Sequence, residues 1–101
     1  MHTRVAIYKV KPHTIDSVIE KAEKGMLPIF REHAGFHSYE VLKVGHDTVI
    51  SISKWESEGQ ALGAVSSAAA WVKHNTGDDM ISAENHVGTV AFSHRASHHN
   101  E

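Results

Sequence analysis

The sequence contains no cysteine, only two prolines, and no lysine–arginine cluster that could follow a phosphate backbone. Without cysteine the chain has no disulfide bond, no thiol nucleophile and no cysteine-ligated zinc. Without a basic cluster it is poorly suited to bind nucleic acid. No apolar run approaches the ~20 residues that a membrane helix needs, and a strand pattern begins directly after the first residues, so neither a membrane span nor a signal peptide is predicted. These absences favour a cytoplasmic globular protein without nucleic-acid or membrane partners.

The 101 residues fit one domain, and the hydrophobic content of 41% is ordinary for a folded protein. Ten residues are histidines, and His94, His98 and His99 lie close together near the end of the chain. On a helix this spacing could bind a divalent metal. The surrounding segment is too polar for a stable helix, so no native metal site is predicted. The domain is predicted to span residues 1–93, followed by a disordered polar tail over 94–101.

The spacing of apolar residues predicts four strands and two helices. Pro28 lies inside the first helical pattern, so a kink or break is expected near Gly25–Leu27. Ser57 and Gln60 have the spacing of a capping box, which marks the start of the second helix. In chain order the predicted elements are a strand over 4–11, a helix over 15–34, strands over 36–44 and 48–55, a helix from 58 to 75, and a strand over 84–92.

The order β-α-β-β-α-β is that of the ferredoxin-like α+β fold, in which two helices cover one face of a four-stranded antiparallel sheet. The predicted strands carry apolar side chains on both faces. In the first strand, Val5 and Ile7 alternate with Ala6, Tyr8 and Val10. A sheet with one wet face should instead alternate cleanly between apolar and polar residues.

The second predicted strand shows the same two apolar faces. Its alternation places Phe36 on one face with Leu42 and Val44, and places Tyr39 and Val41 on the opposite face. Since two helices cover only one face, the other is predicted to pair with a second copy of the chain. The alternative, a monomer with scattered apolar residues at its surface, stays open.

This element order and two local stretches resemble the antibiotic biosynthesis monooxygenase (ABM) domain family, within the dimeric α+β barrel superfamily. In the first stretch, Leu27–Val41, a helix ends in a proline-containing turn and runs through a Gly-Phe pair into a strand. In the second, Ile52–Leu62, a strand ends on Trp55, and an acidic, serine-capped turn opens a helix. The resemblance covers residues 3–93.

The resemblance implies a homodimer whose two sheets close into a barrel, with a pocket between the sheet and the helices of each protomer. It also implies a cofactor-independent monooxygenase, which oxidises a small aromatic, quinol or polyketide-type substrate with O2 and uses neither metal nor flavin. A deprotonated phenol or anthrone can reduce O2 itself, so the protein needs an apolar pocket, a base and a few hydrogen-bond donors. Fold alone does not establish this reaction. Two alternatives stay open: a non-catalytic module that binds a small apolar or aromatic ligand, and a haem-binding relative.

Two departures from the family pattern bear on these alternatives. Many members carry a histidine in the middle of the second helix, whereas this chain has Gly63–Ser66 there, with no titratable group. Haem-degrading relatives need an asparagine on the first strand, which this chain lacks. They also need a tryptophan–histidine pair from the second helix. Trp71 and His74 stand at i,i+3 near the end of that helix, so the haem role is not carried over.

Two histidines are candidates for the catalytic acid or base, since histidine titrates near neutral pH. His37 is predicted to share a strand face with Tyr39 and to project into the pocket. His86 follows Asn85 at the start of the last strand, where adjacent side chains point to opposite faces, so one of the two is expected to face the helices. Asn85 is a candidate substrate contact, and the alternative for His86 is an exposed or interface position.

Three aromatic residues are candidates for substrate binding. Tyr8 and Tyr39 offer hydroxyl groups from two strands. Trp71 follows three alanines, Ala68–Ala70, which leave space beside its ring for a flat ligand. Packing in the core or at an interface is the alternative explanation for the tryptophan. No cofactor and no metal ligand are predicted.

Overall fold

The computed structural model describes residues 1–96 and contains one four-stranded sheet with helices on one face. Its helical connection between the first two strands is interrupted, and the predicted β-α-β-β-α-β order is confirmed. No helix within these residues is long and apolar enough to cross a membrane. The elements are β1 (His2–Val10), α1 (Ile15–Lys21), a π-helical segment (Ala22–Met26), α2 (Leu27–Glu32), β2 (Phe36–Val44), β3 (Thr48–Trp55), α3 (Glu58–Asn75), a 3-10 turn (Gly77–Asp79) and β4 (Met80–Thr89).

The sheet is antiparallel throughout, with the strand order β2-β3-β1-β4. The central strand β1 pairs with β3 on one side and with β4 on the other. β4 begins at Met80 rather than at Glu84 as predicted, and it ends at Thr89 rather than at Phe92. The reason is pairing: β4 follows β1 along its whole length, so that Met80 lies opposite Val10.

The interruption of the first helix follows from Pro28. Proline has no N–H to donate, and its ring would contact the carbonyl group of the residue four positions earlier, Lys24. The chain widens into a π turn over Ala22–Met26, and Pro28 falls in the first turn of α2, where a missing N–H is tolerated. The predicted kink near Gly25–Leu27 is therefore confirmed, in the form of a π turn. Such turns are frequent at functional sites.

A capping box fixes the start of α3, as predicted. The Gln60 N–H donates to Ser57 Oγ at 3.2 Å, and the Ser57 N–H donates to Gln60 Oε1 at 3.1 Å. Gly35 lies against this cap with φ at +81°, and a Cβ there would approach Gln60 Oε1 to 1.9 Å. The turn before β2 therefore requires glycine. Along the sheet, α3 buries three small residues, Ala61, Ala64 and Ala68.

The two faces of the sheet are occupied differently. The helices lie on the covered face, which carries Arg4, Ala6, Tyr8 and Val10 from β1 and Val49, Ser51, Ser53 and Trp55 from β3. The opposite face, called the open face below, carries Val5, Ile7, Ile50, Ile52, Leu42 and Val44.

Phe36 departs from the predicted alternation. It was expected beside Leu42, but it lies opposite Trp55 and packs into the core under the helices. A bulge between Phe36 and Ser38 adds one residue to β2, which shifts every side chain before it to the other face.

The core under the helices consists of two clusters. One is built around Phe30 and Trp55, whose rings meet edge to face with centroids 5.3 Å apart. The other is built around Tyr8, Val10 and Val18. Beyond β4, residues 90–96 have no regular secondary structure, and the predicted tail histidines at 98 and 99 lie outside the described residues.

Candidate functional site

A narrow cavity lies where the two core clusters meet, between the covered face and the helices. Its volume is about 30 Å³, close to the share of one water molecule in the liquid. Most of its wall is aliphatic, with Met26 and Met80 among the larger side chains. Lining residues with polar groups in their side chains are Arg4, Tyr8, Tyr39 and Ser51 of the sheet and Trp71 of α3, whose indole carries an N–H donor. A cavity of this composition can hold the polar end of a mostly apolar ligand.

Arg4 is the charged residue of the cavity wall, and it is only 1% exposed. Its Nη1 donates to Ser51 Oγ at 3.1 Å, and its Nη2 donates to the Tyr8 hydroxyl oxygen at 2.9 Å. Its Nε is buried without a hydrogen-bond partner in residues 1–96. The guanidinium carbon lies 5.5 Å from the centre of the Phe30 ring, a contact that stabilises a cation. Arg4 therefore retains a buried donor atom, Nε, with no acceptor among residues 1–96.

Alternation along β1 explains how Arg4 reaches this position. Arg4, Ala6 and Tyr8 all point to the covered face. Ala6 carries only a methyl group, which leaves room for the guanidinium to extend along the sheet towards Tyr8. The small side chain of Ser51, opposite Ala6 on β3, gives the same room on the neighbouring strand.

Tyr39 enters the cavity wall from β2, and its ring meets Phe30 edge to face at 5.0 Å. Burial raises the pKa of the Tyr39 phenol above its ordinary value of 10.0, and the Ser51 hydroxyl and the Arg4 guanidinium offset this only in part. Tyr39 is therefore protonated at neutral pH. In this site it is a hydrogen-bond donor and a weak acid, and it is not a base.

The helices supply the opposite wall of the cavity. The π segment contributes Ala22 and Met26, and α3 contributes Ala68 and Trp71. The indole of Trp71 lies directly against Gly25, where a Cβ would come within 2.7 Å of the indole Nε1. The absence of a side chain in the π segment therefore allows Trp71 to occupy this place.

A wider groove adjoins the cavity along Tyr39 and Val41, which line both. Its volume is about 300 Å³, and the helical side contributes Ile19, Glu23 and Leu27. Glu23 is exposed at this groove.

Three of the residues predicted for the site lie together in the cavity wall: Tyr8, Tyr39 and Trp71. Asn85 lies on the covered face opposite Ala6, but it is exposed and does not line the cavity. The expectation that either Asn85 or His86 faces the helices is met by Asn85.

The two histidines predicted as acid or base lie away from the cavity. His86 is on the open face, and its Nε2 is 2.7 Å from Glu84 Oε2. His37 lies at the bulge of β2, where its Nε2 is hydrogen-bonded to the Glu56 carboxylate. That bond, together with the charge of His37, holds the pKa of the Glu56 carboxyl below its ordinary value. The bulge explains why His37 does not accompany Tyr39 into the cavity.

Sequence reasoning missed Arg4 and Ser51. A signal for Arg4 existed, because Arg4 and Tyr8 are four residues apart on one strand and must share a face. The predicted strand began at Arg4, which placed this residue at a strand end. The observed strand begins at His2, so Arg4 lies inside it.

Within the described part of the chain, no group of three His, Asp or Glu side chains is arranged to hold a metal ion. His74, of the Trp71–His74 pair considered for haem, is exposed and belongs to a separate groove with Lys73 and Asn75. It does not line the cavity.

Comparison with known proteins identifies one matching family model, described as antibiotic biosynthesis monooxygenase, over residues 1–83. This span contains every residue that lines the cavity. No curated protein is significantly similar in sequence.

Several solved structures share the fold. A monooxygenase from the gene ActVA-Orf6 of Streptomyces coelicolor, in complex with nanaomycin D, has a TM-score of 0.75 and 21% identity, over 95% of this chain and 92% of that chain. SnoaB, a cofactor-independent oxygenase from Streptomyces nogalater, has a TM-score of 0.69 and 16% identity, over 91% and 94%. A protein of unknown function from Nitrosomonas europaea has a TM-score of 0.77 and 16% identity, over 95% of both chains.

Proposed function

This chain belongs to the antibiotic biosynthesis monooxygenase family, and on that premise we propose that it oxidises a small aromatic or quinol-type substrate with O2, without metal or flavin. The observation that carries the proposal is that Arg4, Tyr8, Tyr39 and Ser51, four side chains with hydrogen-bonding groups, lie together in the wall of a cavity that is otherwise mostly apolar. A substrate that donates electrons directly to O2 needs an apolar site with donors placed where negative charge forms.

The proposed chemistry balances with O2 as the sole co-reactant. An anthrone-type substrate, R2CH2, loses a proton to give a carbanion, which transfers one electron to O2. The radical pair forms a C–O bond, and protonation gives the hydroperoxide R2CH–OOH. Cleavage of the O–O bond with loss of the remaining C–H proton yields the ketone and water. The sum is R2CH2 + O2 → R2CO + H2O.

The residues of the cavity have distinct parts in this proposal. Arg4 stabilises the oxygen that carries the negative charge of the deprotonated substrate. Tyr39, which is protonated at neutral pH, donates a hydrogen bond to a substrate or peroxide oxygen. Trp71 forms a flat wall for the ring system. Tyr8 and Ser51 hold the guanidinium of Arg4 in place.

We also propose that the functional unit is a homodimer, formed through the open faces of two sheets. Members of this family are typically dimeric. The open face exposes 44% of Leu42 and 43% of Val44 beside a centre of valine and isoleucine, which is an apolar patch of the kind that marks an interface. A second copy of the same sheet is the simplest cover, because sheets pack face to face with interdigitating side chains.

The alternative is a module that binds an aromatic ligand without converting it. One observation favours it: the cavity wall contains no histidine and no carboxylate among the described residues. The two proposals predict different fates for the same ligand, since an enzyme releases an oxidised product and a binding module releases the ligand unchanged.

The test is O2 consumption by the purified protein with a panel of anthrones and hydroquinones. We expect uptake above the protein-free rate for at least one compound, and a loss of about 10²-fold in kcat/KM for Arg4→Gln, which removes a charge-stabilising donor. His37→Gln should retain the wild-type rate, since His37 lies away from the cavity. If O2 uptake stayed at the protein-free rate across the panel, and a ring compound bound and was recovered unchanged, the monooxygenase proposal would be rejected in favour of the binding module.

A further inference from the structure

Among the described residues, the cavity wall contains no histidine and no carboxylate, which are the usual protein bases near neutral pH. From β1 it takes Arg4 and Tyr8, and from β2 it takes Tyr39. β3, β4 and the helices add no titratable side chain to it. An arginine stays protonated in proteins, and a tyrosine hydroxyl is a donor at neutral pH. The adjoining groove has one carboxylate among its described lining residues, that of Glu23, which is exposed.

The charge of Arg4 has no counter-ion among residues 1–96. Both of its hydrogen-bond partners, Ser51 and Tyr8, are neutral hydroxyl groups. No ion pair to Arg4 exists within residues 1–96. The ion pairs found there involve lysine or histidine side chains, and they lie at the surface. A buried cation is costly unless an anion pairs with it. Its buried Nε also lacks an acceptor in the part of the chain that the structure describes.

These two observations complement each other. We infer that the site captures its substrate as a preformed anion, a phenolate or enolate that has lost its proton in water, and that Arg4 is its counter-ion. No side chain acts as the base. The substrate class is thereby narrowed to flat compounds with an acidic hydroxyl, such as naphthols, hydroxyquinols and enolised 1,3-diketones. The inference rests on the proposed function, which locates the site. Selective binding of the anionic substrate here replaces deprotonation of the substrate by a protein base.

The dimensions of the site agree with this class. The cavity of about 30 Å³ suits one oxygen atom of a ligand. In the inferred binding mode, the ring of the ligand occupies the groove of about 300 Å³, which shares Tyr39 and Val41 with the cavity. A guanidinium binds an oxyanion by charge-assisted hydrogen bonds, which are stronger than bonds to a neutral oxygen. A neutral analogue of the same shape cannot pair with the buried charge of Arg4, so it should bind more weakly.

The first experiment uses 4-nitrophenol, which O2 does not oxidise readily and whose absorbance distinguishes the phenol from the phenolate. We expect the bound probe to absorb as the phenolate, with an apparent pKa at least about one unit below that of the free probe. The neutral ether 4-nitroanisole should bind at least about tenfold more weakly. Equal binding of the ether, or a bound probe that stays protonated, would overturn the inference without any variant.

Variants assign the effect to Arg4. Arg4→Gln should abolish the shift in the pKa of the bound probe, and Arg4→Lys should keep part of it, because lysine retains the charge but not the planar set of donors. The matched control is Arg31→Gln, an identical substitution at an exposed position of α2. A shift that survives in Arg4→Gln would contradict the proposed role of Arg4.

The absence of a base has its own kinetic test. With two substrates of different acidity, the rising limb of kcat/KM against pH should move with the pKa of each substrate. If the rising limb instead lay at the same pH for both substrates and disappeared in Glu23→Gln, Glu23 would be identified as a base. That result would overturn the inference. The failure of the monooxygenase proposal looks different: the probe would bind as the phenolate, yet no compound of the panel would consume O2.

Discussion

The two faces of the sheet distribute polar and apolar side chains in opposite ways. On the covered face, the middle of β1 and β3 carries a guanidinium and hydroxyl groups, from Arg4, Tyr8 and Ser51. On the open face, the middle of the same two strands carries Val5, Ile7, Ile50 and Ile52. The Glu84–His86 pair of the open face lies on the edge strand β4.

This inversion indicates two kinds of partner. Under the helices, hydrogen bonds and charge lie inside an apolar shell, which suits a small ligand with one polar end. On the open face an apolar centre with polar edges suits a protein surface, since interfaces have an apolar core and a polar rim. One strand, β1, serves both purposes by alternating its side chains, so substitutions at neighbouring positions should have unrelated effects.

The largest effect is expected for Ile7→Asp. If two open faces pack together, this substitution buries an unpaired carboxylate near the centre of the interface, and its symmetry mate repeats the cost. Light scattering at micromolar concentration should show wild type at twice the chain mass of 11.1 kDa and the variant at the mass of one chain.

The matched control is Leu62→Asp, the same kind of change at a residue of α3 that is 51% exposed. This variant should remain a dimer. Wild-type protein at the mass of a single chain would remove the distinction between the two faces, because the open face would then be an ordinary solvated surface.

A smaller effect is expected on the covered side, from Gly25→Ala. The new Cβ would lie 2.7–3.0 Å from atoms of the Trp71 indole, so the ring must shift. The control is Gly63→Ala on α3, where a Cβ meets no atom within 4 Å; this change should raise the free energy of unfolding by about 0.5–1 kcal/mol. The free energy of unfolding of Gly25→Ala should be about 1–3 kcal/mol lower than that of Gly63→Ala, because the new methyl group is overpacked against the Trp71 indole.

Urea unfolding measures both free energies, and tryptophan fluorescence reports the movement of the indole. Gly25→Ala should change the emission of the folded protein, whereas Gly63→Ala should not. Equal stabilisation by the two substitutions, with unchanged emission, would show that the cavity wall on the π segment is not tightly packed.

Local sequence patterns predicted the elements of this fold because their causes are local. Pro28 disrupts a helix wherever it stands in its interior, and the Ser57–Gln60 pair caps a helix without help from the rest of the chain. Period-two alternation likewise separated Val5 and Ile7 from Ala6 and Tyr8. The order of the elements then predicted two helices on one face of a four-stranded antiparallel sheet, which the structure confirms.

The site was less predictable because its composition depends on register and on distant contacts. The bulge at Phe36–Ser38 shifts the face of His37, and nothing in the local pattern distinguishes a bulge from a regular strand. The role of Arg4 depends on Ser51, 47 positions away in sequence. A charged residue is ordinarily expected at the surface, so only the alternation shared with Tyr8 pointed to its burial.

The smallest effect is expected at the surface pair His37–Glu56, which contrasts with the buried charge of Arg4. The pair lowers the pKa of the Glu56 carboxyl in the folded chain relative to the unfolded chain. Its contribution to stability is therefore fully present above the unfolded pKa of the carboxyl and is lost as pH falls through the lowered folded value. In urea unfolding, Glu56→Gln should be less stable than wild type at neutral pH, and the difference should vanish in acid. Because both side chains are exposed to solvent, the difference should be slight and should decrease further at high salt.

Glu32→Gln, at an exposed position without an ion pair in the described chain, should keep the pH dependence of wild type. A difference between Glu56→Gln and wild type that persists at low pH would mean that Glu56 stabilises the turn before α3 through its shape and not through its charge.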